Sequence, residues 1–325
     1  MNEGPTVLLI EDNEDDLTLA TLALAQSGWP HVLRTMRDGA EVIADLYGGA
    51  AKAPPAVVLL DLKLPKVDGK TVLRELRELR GNPRTTRVPV VVMTSSRLEQ
   101  DVVDAYTLGA NSYVQKPVDF VQFRTSAAVM IGYWLGLNVP PPGLYHLPPH
   151  PELLRSATMI NALDRTPRRG GGLEIVIADG NERDRNATKQ AIGSSTVHNP
   201  VRTLGSFAEV VAFLRPVGGP PPLLEPNFPR LFFVDVDLAD GDGRDVLQAL
   251  RYRADHHAVV VMFTRNRDPA FISECYRMKV SSIVFKPDDE REYSVAVRFI
   301  AHYWIHLNEP PTDPAWSPRA IAHPG

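Results

Sequence analysis

The sequence predicts an α/β protein built from two tandem, doubly wound domains, each around a five-stranded parallel sheet. Three observations carry that prediction. Short apolar runs rich in Val and Leu alternate with amphipathic stretches. The chemically distinctive residues fall just after those runs, where open α/β sheets present their binding crevice. The same landmarks recur in the same order in the second half of the chain.

In the first half the apolar runs are Val7–Ile10, Val32–Met36, Val57–Leu60, Val88–Met93 and Ser112–Val114. Their brevity and their β-branched content read as buried parallel strands. Helical patterns such as Lys70–Arg80 and Phe120–Leu135 lie between or after them. Strands alternating with helices imply a parallel sheet with helices on both faces.

The repeat is visible by inspection. Ile10-Glu11-Asp12 matches Ile177-Ala178-Asp179, and Arg34-Thr35 matches Arg202-Thr203. Leu60-Asp61 and Asp68-Gly69 match Val234-Asp235 and Asp242-Gly243. Thr94 matches Thr264, and Lys116-Pro117 matches Lys286-Pro287. Tyr133-Trp134 and Leu137-Asn138 match Tyr303-Trp304 and Leu307-Asn308. The expected division is a first domain over 1–138, a Pro/Gly-rich linker over 139–172, a second domain over 173–308 and a tail over 309–325. Within the linker, Glu152–Leu163 has a short helical pattern.

Bulk properties narrow the function. With 325 residues and a net charge of −4, the chain lacks the basic excess of a nucleic-acid binder. Its single cysteine, Cys275, permits no internal disulfide, which fits a cytoplasmic protein. The acidic start is unlike a signal peptide, and no apolar stretch is long enough to span a membrane. The residues after Asn308 offer no helix-turn-helix and no second catalytic domain, so neither a DNA-binding nor an enzymatic output is expected. A calcium-loop pattern from Asp235 breaks at Ala239 and Val246.

Glu11 and Asp12 follow the first strand, Asp61 the third, Thr94 the fourth and Lys116 the fifth. In a parallel sheet these ends converge on one rim. Clustered carboxylates favour a bound cation, and Mg²⁺ takes a few carboxylates together with phosphate oxygens. An aspartate can act as nucleophile toward phosphorus, while an ammonium and a hydroxyl neutralise charge on the transferring group.

These residues resemble the receiver family of two-component response regulators. The resemblance rests on Ile10-Glu11-Asp12-Asn13, on Leu60-Asp61-Leu62-Lys63-Leu64-Pro65 with Asp68-Gly69, on Met93-Thr94-Ser95, and on Tyr113 with Lys116-Pro117. It covers roughly 5–138, with a weaker copy over roughly 172–308. It implies a flavodoxin-like fold and Asp61 as phosphoacceptor. It further implies Mg²⁺ held by Asp12, Asp61 and the Lys63 carbonyl, with Glu11 acting mainly through water. Lys116 and Thr94 would hold the phosphoryl group, Tyr113 would be a solvent-facing switch that turns inward, and Lys116–Pro117 would be cis. The segments around Asp61, Gly109–Tyr113, Lys116–Phe120 and Tyr133-Trp134-Leu135 are also similar to single-domain regulators paired with bacterial phytochromes. That subgroup forms homodimers through its last helix, and Phe120, Phe123, Val129, Met130 and Trp134 give a broad apolar face there.

In the second half Asp179, Asp235, Thr264 and Lys286 match the core set, with Asp237 adding a carboxylate to a second, altered site. Ala178 stands opposite Glu11, Arg265 opposite Ser95 and Ile283 opposite Tyr113. Arg265 is expected to pair with Asp235 and occlude it, giving a poorly switching copy. The resulting expectation is a response regulator phosphorylated at Asp61 by a sensor histidine kinase, a bacterial phytochrome among the candidates. The alternative is a phosphorelay intermediate or phosphate sink serving a histidine phosphotransfer protein. The two halves would either pair within one chain or support an intermolecular homodimer.

Overall fold

The computed structural model describes residues 4–47, 53–78, 88–96, 98–143, 174–214, 231–252 and 258–310. The Glu152–Leu163 pattern and most of the linker and tail lie outside these residues. The first half runs β1 (Thr6–Ile10), α1 (Glu14–Ala25), β2 (Val32–Met36), α2 (Gly39–Tyr47), β3 (Val57–Leu60), α3 (Gly69–Glu78), β4 (Val90–Thr94), α4 (Glu99–Thr107), β5 (Ser112–Gln115) and α5 (Phe120–Ile131). Its strands are all parallel, in the order β2-β1-β3-β4-β5.

The second half repeats this plan. It runs β6 (Ile175–Ala178), α6 (Glu182–Gly193), β7 (Val201–Leu204), α7 (Phe207–Leu214) and β8 (Leu231–Val234). A short hairpin follows, β9 (Asp237–Leu238) and β10 (Gly241–Asp242). Then come α8 (Gly243–Tyr252), β11 (Val259–Thr264), α9 (Pro269–Arg277), β12 (Ser282–Phe285) and α10 (Glu290–His302). The main sheet is again five-stranded and parallel, in the order β7-β6-β8-β11-β12.

Buried apolar side chains line both faces of each sheet, as parallel strands require. In the first half Leu8, Ile10, Val58, Leu60, Val90 and Val92 face α2–α4. The opposite face contributes Val7, Leu9, Val57, Leu59, Val91 and Met93 to a core that continues into the second half.

That shared core has a pseudo-twofold pattern. After α5 and α10 the backbone widens into π-helical segments, Gly132–Leu137 and Tyr303–Leu307. Their ends are marked by Asn138 N–H to Tyr133 O at 2.8 Å and Asn308 N–H to Tyr303 O at 2.9 Å. The Tyr133 and Tyr303 rings stack with centroids 4.4 Å apart. Trp134 Nε1 donates to the Tyr303 hydroxyl at 2.7 Å, and Trp304 Nε1 to the Tyr133 hydroxyl at 2.8 Å. Each half then lays an asparagine on the other's last strand. Asn308 Oδ1 accepts from Tyr106, Ser112 and the Tyr113 amide, and Asn138 Oδ1 accepts from Tyr276, Ser282 and the Ile283 amide. Every donor in the first set has its repeat partner in the second.

Candidate functional site

The strand ends of the first half bring the expected residues to one rim. Asp61 follows β3, and its amide donates to Ile10 O at 3.0 Å, which sets it beside the end of β1. Gly69 makes the turn below it possible. A Cβ there would lie 2.2 Å from the Asp61 carbonyl oxygen, so only glycine lets α3 start so close to the acceptor strand. Asp68 accepts from the Thr71 amide at 2.9 Å at the start of that helix. Asn13 caps α1 in the same way, accepting from the Asp15 and Asp16 amides. That cap turns Asp16 toward the sheet rim.

Lys116, just past β5, is the hub. Its Nζ donates to Asp61 Oδ2 at 2.7 Å, Glu11 Oε2 at 2.6 Å and Asp16 Oδ2 at 2.8 Å. Its amide bonds to Thr94 O at 2.9 Å, so the fully buried Thr94 ends the adjacent strand. Burial opposes the charge on Lys116, but the attraction of Asp61 and bonds to Asp16, Asp61 and Glu11 outweigh it and hold its pKa above the ordinary lysine value. Burial pushes Glu11 up to about 7 against the pull of Lys116. Glu11, Asp12 and Asp61 each offer a carboxylate oxygen within 4.8 Å of the others, Asp12 from the exposed side. Such a hard, all-oxygen donor set fits Mg²⁺ or a similar divalent cation.

Two expectations for this half are corrected. Tyr113 is buried, packed in the core with Val92, Val102 and Ala105, and its hydroxyl donates to Ser96 O at 3.3 Å. The Lys116–Pro117 bond is trans, since no cis peptide occurs among the described residues; the tertiary amide makes either isomer accessible. Asp16 was not singled out in the sequence. The available signal was its recurrence, since Asn13 and Asp16 reappear as Asn181 and Asp184.

Strand pairing also corrects the repeat alignment. Ile10 pairs with Met36 and Leu60, whereas Ala178 pairs with Leu204 and Val234. Ala178 is therefore the counterpart of Ile10, Asp179 of Glu11, and Gly180 of Asp12. The carboxylate missing from the second half is that of Asp12, not that of Glu11. The hub is otherwise repeated. Lys286 Nζ donates to Asp179 at 2.6 Å and to Asp184 at 2.9 Å, and bonds Asp235. Attraction to Asp235 and Asp179 overcomes burial and keeps the Lys286 pKa above the ordinary value.

Arg265 does not occlude Asp235. It pairs with Asp184 and lies 3.7 Å from Asp288, because Lys286 already occupies the inner side of Asp235. Asp237 does not join the cluster either. The three carboxylates that converge are Asp179, Asp184 and Asp235, while Asp237 is exposed on the β9–β10 hairpin. Thr264 ends β11 fully buried, and its carbonyl accepts from the Lys286 amide at 2.9 Å.

Comparison with known proteins bears on the same residues. A family model described as the response regulator receiver domain matches residues 7–128. The chain is 36% identical over 137 residues to the probable methanogenesis regulatory protein FilR2 of Methanothrix harundinacea, covering 42% of this chain and 86% of that protein. It is 36% identical over 137 residues to the response regulator Rcp1 of Synechocystis, covering 41% of this chain and 91% of that protein. Among solved structures, the phosphorylated cyanobacterial phytochrome response regulator RcpA is 37% identical, with a TM-score of 0.37 and coverage of 41% of this chain and 94% of that one.

Proposed function

The chain belongs to the response-regulator receiver family, and from that premise we propose that its first half is a phosphorylation switch with Asp61 as the acceptor. The observation that carries this reading is the convergence of Glu11, Asp12 and Asp61 around Lys116, whose ammonium lies 2.7 Å from an Asp61 oxygen. An Asp61 carboxylate oxygen attacks the phosphorus of a phosphohistidine; the new P–O bond forms as the P–N bond breaks, and the imidazole leaves. Lys116 pairs with the phosphoryl oxygens, and the Thr94 hydroxyl at the end of β4 donates to them. Glu11, Asp12, Asp61 and the Lys63 carbonyl would hold Mg²⁺, which neutralises charge on the transferring group when bound.

The phosphodonor is a sensor histidine kinase acting in the cytoplasm, and the segments around Asp61, Gly109–Tyr113 and Lys116–Phe120, similar to regulators paired with bacterial phytochromes, favour a phytochrome-type one. No described helix is long and apolar enough to cross a membrane. An apolar rim supports kinase docking beside Asp61. Val118 is 95% exposed and Val121 59%, with Phe120 and Leu22 also open. Their counterparts in the second half are Asp288, Arg291, Glu290 and Gln190. Output is a protein contact, and no DNA-binding or enzymatic domain occurs among the described residues.

Phosphotransfer tests both parts. Wild type incubated with a small phosphodonor and Mg²⁺ should gain one aspartyl phosphate, absent from Asp61→Asn. Val118→Asp should slow transfer from the cognate kinase while leaving small-donor labelling unchanged. A kinase indifferent to Val118→Asp removes the docking role, and label that persists in Asp61→Asn at the first half removes the acceptor.

A further inference from the structure

We infer that the second half is a metal-free receiver, closed by its own cations and backbone, so that the chain carries one phosphoacceptor and one divalent-cation site. Three features of the pocket around Asp235 lead there.

The first is the lost carboxylate. Gly180 replaces Asp12, and the pocket has closed over the space. A Cβ on Gly180 would sit 2.5 Å from the Asp237 carbonyl oxygen. The second is the backbone acceptor. Asp237 stands where Lys63 stands in the first half, and its carbonyl accepts the Gly180 amide at 2.8 Å. No Asp12-to-Lys63 bond of this kind occurs among the described residues. The β9–β10 pairing of Asp237 with Asp242 and Leu238 with Gly241 fixes that carbonyl in place. One oxygen a cation would need is absent, and another already has a donor.

The third is charge. Arg265 lies where the first half has Ser95, and it pairs with Asp184. Lys286, with no exposed side-chain surface, bonds Asp179, Asp184 and Asp235. The second pocket thus has two cations on three carboxylates. Among the described residues the first has one cation, Lys116, bonded to Glu11, Asp16 and Asp61, with the Asp12 carboxylate beside Glu11 and Asp61. Like charges in that excess favour a bound divalent cation, and internal pairing removes the need for one. Approach to Asp235 also meets a charged rim of Arg265 and Asp288.

The full-length chain tests this with Mn²⁺ as probe. Titration followed by the EPR signal of free Mn²⁺ should show one tight equivalent in wild type and none in Asp12→Ala, whose exposed side chain supports no core packing. In parallel, Asp61→Asn treated with acetyl phosphate and Mg²⁺ should show no phosphate adduct by intact mass. Two equivalents in wild type, one remaining in Asp12→Ala, or a phosphate on Asp235 would overturn the inference. A wild-type chain that takes no label would count against Asp61 as acceptor, a separate failure, and agrees with an inert second pocket.

Discussion

Lys116 has two duties, one for stability and one for chemistry, and a single substitution separates them. Lys116→Met leaves Glu11 and Asp61 buried, close together and without their ammonium. Breaking a buried ion pair from one side costs about 3–5 kcal/mol. A divalent cation can replace much of that compensation, so the variant should unfold at lower temperature without Mg²⁺ and show a larger Mg²⁺-induced rise in Tm than wild type. Labelling of Asp61 should fall roughly 10²-fold, the scale seen when one charge-stabilising donor is removed from a reacting centre. An unchanged Mg²⁺ shift in calorimetry would show that the ammonium does not offset the charge of the carboxylates.

A second residue has the reverse character. Arg77 is half-buried and faces carbonyls, donating to Gly109 O and Val88 O at 2.9 Å and to Asn111 Oδ1 at 2.9 Å. Burial pulls its pKa down to about 10. Arg251 repeats the arrangement on Lys279 O and Ala258 O. Arg77→Met should cost about 2–4 kcal/mol in urea unfolding, because it leaves buried carbonyls without donors, while metal affinity stays the same. Asp61, Thr94 and Lys116 could be read from the sequence because strand-end positions in a parallel sheet converge by topology alone. For Asp16, Arg77 and Arg251 recurrence marks the position but not its role, because a helical residue's target depends on where the cap starts the helix and how it packs.

At the scale of elements, the strands were legible and their relative register between the halves was not. Ile10-Glu11-Asp12 and Ile177-Ala178-Asp179 share more letters in the wrong alignment than in the right one. Only hydrogen bonding to β2 and β3, or β7 and β8, identifies Ala178 as the strand end. The π-helical turns were equally hidden, since Phe120–Leu135 reads as one continuous helix. Their consequence is the crossed pair of segments, in which Asn308 and Glu309 lie along β5 and Asn138 and Val139 along β12. Glu309 N–H donates to Tyr113 O at 2.7 Å, so the strand that carries the expected switch residue is already engaged by the other half. Asn308→Ala would strand the Tyr106 hydroxyl and the Tyr113 amide and leave the Ser112 hydroxyl only its bond to Tyr303. The expected loss is about 2–4 kcal/mol, with faster amide hydrogen exchange at Tyr113. Exchange at Tyr113 that matches wild type would show that the segment does not cover β5.

For the whole molecule, the two halves close on each other through the surface that a lone receiver would leave open. Tyr133, Trp134, Tyr303 and Trp304 are each at most 2% exposed, and the Tyr133 and Tyr303 rings stack across the pair. Aromatic pairs of this kind contribute about 0.5–1.5 kcal/mol each beyond the area they bury. With that surface consumed inside one chain, the full-length protein should sediment as a monomer at micromolar concentration. A fragment of residues 1–143 loses the partners of Tyr133, Trp134 and Asn138 and exposes them together. Because the second half presents the same residue types in the same places, a second copy of the fragment can stand in for it, and the fragment should dimerise. Tyr133→Ala combined with Trp134→Ala should return the fragment to a monomer, since it removes the stack and both crossed indole bonds. The opposite pattern, a dimeric full-length chain and a monomeric fragment, would mean that association uses another surface and that the intrachain pairing is not what holds the halves together.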